Sequence, residues 1–246
     1  MPTHSVLTSE ALQCSACALS HVCVPSCVSP DDITRLDGLV KRRLRVSRGS
    51  HLFAQGEIAD AIYSIRFGSF KTHLKNASER AHITGFHLPS GVLGLDGQAS
   101  GTHVSEAIAL EDSEVCVIDL HEFDAFTGSL PGVRGWLRRI MSQEIRRACQ
   151  LMFILGNLRS DQRLAGFLVR YSNGLAALGY APNAFVLRMT REEIGNHLGL
   201  TLETVSRVFT QLADAGLLTV QQRDVVILDR PALTRLAGPD FGCNAY

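Results

Sequence analysis

Four cysteines carry the first chemistry in this chain. Cys14-Ser15-Ala16-Cys17 is a close thiol pair, Cys23 follows it, and Cys116 stands far away in an apolar run. A Cys-x2-Cys pair holds one corner of a metal or cluster, and Cys23 lets a third thiolate converge from the same short segment. The fourth ligand must come from elsewhere. Cys116 lies in Val115-Cys116-Val117-Ile118, which reads as a strand, and a strand is a rigid anchor for such a loop. Four thiolates suit tetrahedral zinc and an iron–sulfur cluster equally well. The single irregular segment, without the second knuckle of a zinc ribbon, tilts the choice toward the cluster. Cys27, Cys149 and Cys243 read as incidental thiols, and the nine histidines show no paired metal spacing.

A second set of residues points to DNA. In Thr201-Leu202-Glu203-Thr204-Val205-Ser206-Arg207 the polar residues Glu203, Ser206 and Arg207 stand at i, i+3 and i+4. That spacing puts them on one face at the start of a helix, while Val205, Val208, Phe209 and Leu212 form the face to be buried. A polar N-terminal helix face is what enters the major groove. Arginine can bond guanine at two edge atoms, glutamate can accept from the cytosine amino group, and serine can bond either kind of edge. The hydroxyls of Thr190, Thr201 and Thr204 are candidates for phosphate contacts.

The elements that must position these groups are legible in outline. Residues 1–30 hold Cys14, Cys17, Cys23 and Cys27 with little apolar periodicity, so this segment is expected to make few contacts of its own. Residues 31–130 form the next unit. From Ile33 to about Phe126 short apolar runs alternate with glycine, which predicts an all-β sandwich or roll. Residues 131–158 form a long helix. Its positions Met141, Ile145, Ala148, Met152 and Leu155 are spaced 4, 3, 4, 3, the period of a coiled-coil seam. A second stripe, Leu137, Ile140, Leu151, Ile154 and Leu158, gives the helix another packing surface. One stripe is assigned to the β-domain of the same chain and the other to a partner helix. Residues 159–246 are helical again, then strand-like. Thr190 and Glu193 form a capping box, Gly199 suits a left-handed turn, and Thr201 caps the next helix. Leu217–Val220 and Val225–Leu228 read as two strands around Arg223-Asp224. Two helices across a glycine turn, followed by a hairpin, predict a winged helix-turn-helix.

Composition excludes several classes. The 24 basic and 24 acidic residues cancel, so binding to polyanions through bulk positive charge is excluded, whereas a specific DNA reader is not. No apolar run approaches a membrane span, and the N-terminus lacks the order of a signal peptide, so a cytoplasmic protein is expected. Neither a nucleophile elbow, nor a phosphate-cradling glycine loop, nor a catalytic histidine pair is present, so an enzyme is not expected.

With these motifs together, the chain resembles the fumarate and nitrate reduction (FNR) branch of the cyclic-AMP receptor protein (CRP) superfamily over nearly its full length. The likeness rests on Cys14-x2-Cys17-x5-Cys23 with Cys116, on Ile83-Thr84-Gly85-Phe86-His87-Leu88, on Met189-Thr190-Arg191, on Gly195-Asn196 with Leu198-Gly199-Leu200-Thr201, and on Glu203-Thr204-Val205-Ser206-Arg207. It implies an α+β fold: an N-terminal β-roll like that of cyclic-nucleotide-binding domains, a long dimerisation helix and a C-terminal winged helix-turn-helix. It also implies a 4Fe–4S cluster on Cys14, Cys17, Cys23 and Cys116 that oxygen destroys. The intact cluster would favour a homodimer bound to double-stranded DNA at a palindrome like TTGAT-N4-ATCAA. By the same likeness Arg207 would read guanine, Glu203 its cytosine and Ser206 a thymine, and the dimer would control anaerobic genes, usually as an activator touching RNA polymerase. A related branch binds cyclic AMP with a Gly-Glu pair and a basic phosphate partner. Here the matching text is Leu93-Gly94-Leu95-Asp96-Gly97 and His103-Val104-Ser105, and Val104 stands where that basic residue would be, so no cyclic nucleotide is expected. A zinc clip, or direct thiol or nitric-oxide sensing on the same fold, is the alternative.

Overall fold

The computed structural model describes residues 5–7, 17, 23, 39–76, 78, 81–129 and 131–238. Cys14, Cys27 and Cys243 therefore lie outside the described residues. The chain divides into two compact units, Met1–Glu144 and Ile145–Tyr246, and the division falls within the long helix.

The first unit is a β-roll of two sheets. One has the order β1 (Ser5–Leu7), β2 (Val40–Val46), β9 (Ser113–Asp119), β4 (Ala61–Phe67), β7 (Val92–Leu93). The other runs β3 (His51–Phe53), β8 (Glu106–Ala109), β5 (Phe70–Lys75), β6 (Ala81–His87), and all described pairings in both sheets are antiparallel. Residues on a strand alternate between faces, so β9 splits its side chains in two sets. Val115 and Val117 enter the apolar core with Leu44, Val46, Ile65 and Phe70. Cys116 and Ile118 point the other way, into a second apolar cluster. The buried histidines are satisfied core residues: His73 bonds Glu106, and His103 bonds Asp96.

One expectation is corrected. The strand texture does not continue to Phe126, because Leu120–Ser129 is a helix, α1. The Asp119 carboxylate accepts the N–H of Glu122 and so caps its start, and Phe123 and Thr127 are buried one helical turn apart. Ahead of the cysteines, Ser5–Leu7 pairs with Arg43–Arg45 and covers what would otherwise be an edge of β2.

Helix α2 spans Pro131–Asn157. In the first unit Val133, Trp136 and Leu137 join the second cluster with Val40, Ile62 and Phe123. In the second unit Ile154 is buried, and α2 is followed by α3 (Ser160–Ala177), β10 (Ala184–Val186), α4 (Arg191–Leu198), α5 (Leu202–Asp214), β11 (Leu218–Gln221), β12 (Asp224–Ile227) and α6 (Arg230–Ala237). The sheet order β10-β12-β11 makes the wing three-stranded rather than the expected hairpin. No described helix is long and apolar enough to cross a membrane.

Candidate functional site

Cys116 occupies the middle of a row across three strands. It stands opposite Arg43 on β2 and opposite Ser64 on β4. Directly opposed residues share a face, so all three side chains project together. The Ser64 hydroxyl lies 3.9 Å from Cys23 Sγ and donates to it, which brings Cys23 over the same row. Burial pushes the Cys23 thiol up to about 11, with the Ser64 bond opposing that rise and Cys17 and Cys116 adding to it. Burial likewise raises Cys116, and the charge and hydrogen bond of Arg43 hold it back while Cys17 adds to it. Cys17, Cys23 and Cys116 are thus close enough to feel one another's charge, and all three are half-buried. Among the described residues no three His, Cys, Asp or Glu side chains converge closely enough to hold a single metal ion. Cys149 is exposed on α2.

The next row outward is charged. Glu114, two residues before Cys116 and on the same face, is 2% exposed. Its carboxylate lies 3.0 Å from Arg66 Nη1, 3.6 Å from Arg45 Nε and 3.9 Å from Arg43 Nε. Among the described residues, three guanidinium groups face this one carboxylate beside the thiols. Sequence spacing offered no sign of this, because the residues meet only through strand register. Cys116 is also packed on the rim of the cluster that contains Val133, Trp136 and Leu137 of α2.

In the second unit the local signals fold as read. Thr190 Oγ1 accepts the N–H of Glu193 at 3.1 Å, and the Glu193 carboxylate accepts the N–H of Thr190 at 2.6 Å. Gly199 takes the left-handed conformation that ends α4, at φ 63°. Gly195 is also required, because a Cβ there would lie 2.6 Å from the Leu200 carbonyl oxygen. Thr201 Oγ1 accepts the N–H of Thr204 at 3.2 Å and opens α5. Val205, Val208, Phe209 and Leu212 are fully buried, which turns Glu203 and Arg207 outward and leaves Ser206 and Thr204 half-buried. The Glu203 carboxyl is held below its ordinary value by its own backbone N–H and by Thr201. Arg191, Gln222 and Arg223 were not among the expected DNA-contacting residues. They line one cleft with Thr190, and Arg191 stacks over the Phe209 ring at 5.3 Å.

The two stripes of α2 differ in exposure. Met141, Ile145 and Met152 are 43%, 65% and 66% exposed, and Ala148 is exposed, whereas the second stripe is half-buried or buried. Leu155 departs from the seam: it is half-buried, and its side chain lies close to Gly199.

The loop that carries Asp96 and Ser105 is filled by bonds of its own side chains. The Asp96 carboxylate accepts the Ser105 N–H at 2.7 Å, the Ser105 hydroxyl at 2.8 Å and His103 Nδ1 at 3.3 Å. Burial raises the Asp96 carboxyl, but the bonds from His103 and Ser105 outweigh it and hold it below the usual value. His103 in turn stacks on Phe53 at 3.8 Å.

Comparison with known proteins agrees with both units. The Crp-like helix-turn-helix domain family matches residues 162–236, and the cyclic nucleotide-binding domain family matches residues 43–129. The transcriptional regulatory protein btr of Bordetella pertussis is 50% identical over 95% of this chain and 97% of its own. The fumarate and nitrate reduction regulatory protein of Escherichia coli is 36% identical over 93% of this chain and 91% of its own. Among solved structures, FixK2 of Bradyrhizobium japonicum superposes with a TM-score of 0.74 at 28% identity, covering 80% of this chain and 97% of that one.

Proposed function

This chain belongs to the FNR branch of the CRP/FNR family of transcription regulators, and from that premise we propose that it is an oxygen-responsive regulator whose cysteines hold a 4Fe–4S cluster. The observation that carries the reading is the place of Cys116. It is packed at once beside Cys23, through Ser64, and on the rim of the cluster holding Val133, Trp136 and Leu137 of the long helix.

The donor set fits such a group. Cys17, Cys23 and Cys116 supply thiols in a half-buried setting, and Arg43 and Arg66 supply positive charge against an anionic thiolate cluster. An iron–sulfur cluster binds its cysteines through separate irons, so its ligands need not converge on one point. Cys14 would be the fourth ligand. When bound, the cluster supplies a group that reacts with oxygen. The raised thiols must lose their protons on binding, which ties occupancy to pH.

The exposed seam of Met141, Ile145, Ala148 and Met152 takes a second copy of this chain, with Leu155 at its edge. A cofactor that binds only the paired form shifts the population toward it. The dimer then presents two α5 helices about 34 Å apart, one DNA turn. Glu203, Ser206 and Arg207 read the half-sites of a TTGAT-N4-ATCAA-like palindrome, with Thr190, Thr201 and Thr204 on phosphates. Arg191 and Arg223 join them from the adjoining cleft. An RNA polymerase contact follows from family likeness alone. We also infer that no cyclic nucleotide is the signal, because Asp96 already takes the N–H and hydroxyl of Ser105, and a second anion there would meet a carboxylate.

The test is anaerobic purification with iron and sulfide counted, the visible spectrum followed as air enters, and palindrome binding measured before and after. A cluster band that bleaches together with loss of DNA binding is expected. A colourless, zinc-containing protein whose DNA binding ignores air would leave the regulator standing and overturn the sensor.

A further inference from the structure

Beyond the ligands, we propose that Arg43 and Ser64 set how readily the cluster yields an electron to oxygen, by donating hydrogen bonds to the Cys116 and Cys23 sulfurs, and that Glu114 positions Arg43. This rests on the cluster reading above.

The geometry is the row Arg43–Cys116–Ser64. Arg43 and Ser64 flank Cys116 from the two neighbouring strands and share its face. Ser64 donates to Cys23 at 3.9 Å. Arg43 stands directly opposite Cys116, and its guanidinium opposes the rise of that thiol. Glu114, buried one row away, lies 3.9 Å from Arg43 Nε and 3.0 Å from Arg66 Nη1. A buried carboxylate among three guanidinium groups has little freedom, and its charge favours keeping Arg43 on this face of the sheet. The arrangement spans three strands, and no single segment of the chain specifies it.

The chemistry follows from charge. Were the cluster bound, dioxygen would take one electron from it and leave as superoxide. The assembly is more negative before that step than after it. A positive charge and an N–H or O–H donor at sulfur stabilise the more negative state, so they hold the electron more tightly and raise the potential at which it leaves. Removing a donor should therefore lower the potential and speed the attack. A lost bond worth about 1 kcal/mol corresponds to about a fivefold change in the equilibrium.

The variants are Arg43→Met, which keeps the apolar stem without donor or charge, and Ser64→Ala, which removes one hydroxyl and leaves the arginine–glutamate group intact. Both are made in the full chain and reconstituted anaerobically. Iron and sulfide per chain, the midpoint potential and the rate of bleaching in air are measured. Arg43→Met is expected to bleach about fivefold faster, with a more negative potential at unchanged iron content, and Ser64→Ala to shift both in the same direction by less. Should Arg43→Met fail to load, Ser64→Ala decides. Loaded variants with wild-type potential and bleaching rate would overturn the proposal while leaving the cluster reading intact. A wild-type chain that takes up no iron and sulfide would overturn both.

Discussion

Arg163 should be the residue on which the DNA-binding unit depends most for its frame. Its guanidinium donates Nε to the Leu158 carbonyl at 2.8 Å, Nη2 to the Leu155 carbonyl at 2.9 Å and Nη1 to the Leu198 carbonyl at 2.9 Å. Two of these acceptors end α2 and the third ends α4, so one cation serves the negative ends of two helices. Arg163→Met keeps most of the apolar stem and removes all three bonds. Hydrogen bonds to a charged group are worth roughly 1.5–3 kcal/mol each. Arg163 is only half-buried, water can replace part of what is lost, and the charged group recovers its own hydration on unfolding. A total loss of about 3 kcal/mol is therefore expected, nearer one strong bond and a fraction of the others than the full sum. In a unit of this size that lowers the melting midpoint by roughly 12 °C or more. The two units can be followed separately. The single tryptophan, Trp136, reports the first unit, while far-UV circular dichroism also reports the helices of the second. The variant should lower the dichroism transition and leave the Trp136 fluorescence transition in place. A loss below about 1 kcal/mol would show that the three carbonyls are satisfied equally well by water.

Three further outcomes are expected. Ile145→Lys replaces a side chain that is 65% exposed, so single-chain stability should change by no more than about 0.5 kcal/mol, yet sedimentation should show monomer and palindrome binding should collapse. Gly195→Ala drives a Cβ to 2.6 Å from the Leu200 carbonyl oxygen, and backbone must move, so the melting point of the second unit should fall by an amount equivalent to about 1–3 kcal/mol. Asp96→Asn tests the filled loop by pH. The Asp96 carboxyl is depressed in the folded state, so its contribution is fully present above the unfolded value, near 4, and is lost as pH falls through the depressed one. The wild type should therefore be more stable than Asp96→Asn at pH 7, the gap should close toward pH 3, and thermal melts at both pH values measure it. An equal gap at both would show that the Asp96 charge does not matter.

The helix-turn-helix was legible because its determinants are local. A threonine cap with a glutamate three residues on, a glycine at the turn and a second threonine cap fix both helices within a dozen residues, and the structure forms those bonds. The burial of Val205, Val208, Phe209 and Leu212 follows the same short period. The elements that were missed are those whose signal is too short or is borrowed from elsewhere. Strand β10 has three residues, and it exists because Ala184–Val186 pairs with Asp224–Val226 some forty positions later. Helix α1 was hidden in a run of short apolar stretches, where a buried strand and a single buried helical turn look alike.

The same division separates the two halves of the cysteine site. Cys116 could be proposed as the distant ligand because it stands in a run with strand texture, and a strand has only two faces to offer. Which neighbours share its face depends on register, and register is a property of three strands drawn from positions 40–46, 61–67 and 113–119. Shifting any one of them by a single residue would turn its side chains to the opposite face, and Arg43 or Ser64 would point into the core instead of toward sulfur. That core is filled by Leu44, Ile65, Val115 and Val117, each buried, and each therefore opposes the slip. The residues that place Arg43 and Ser64 beside the thiols are thus the apolar residues on the other side of the sheet. It follows that a polar substitution at Val115 should disturb the thiol row without touching any of its members.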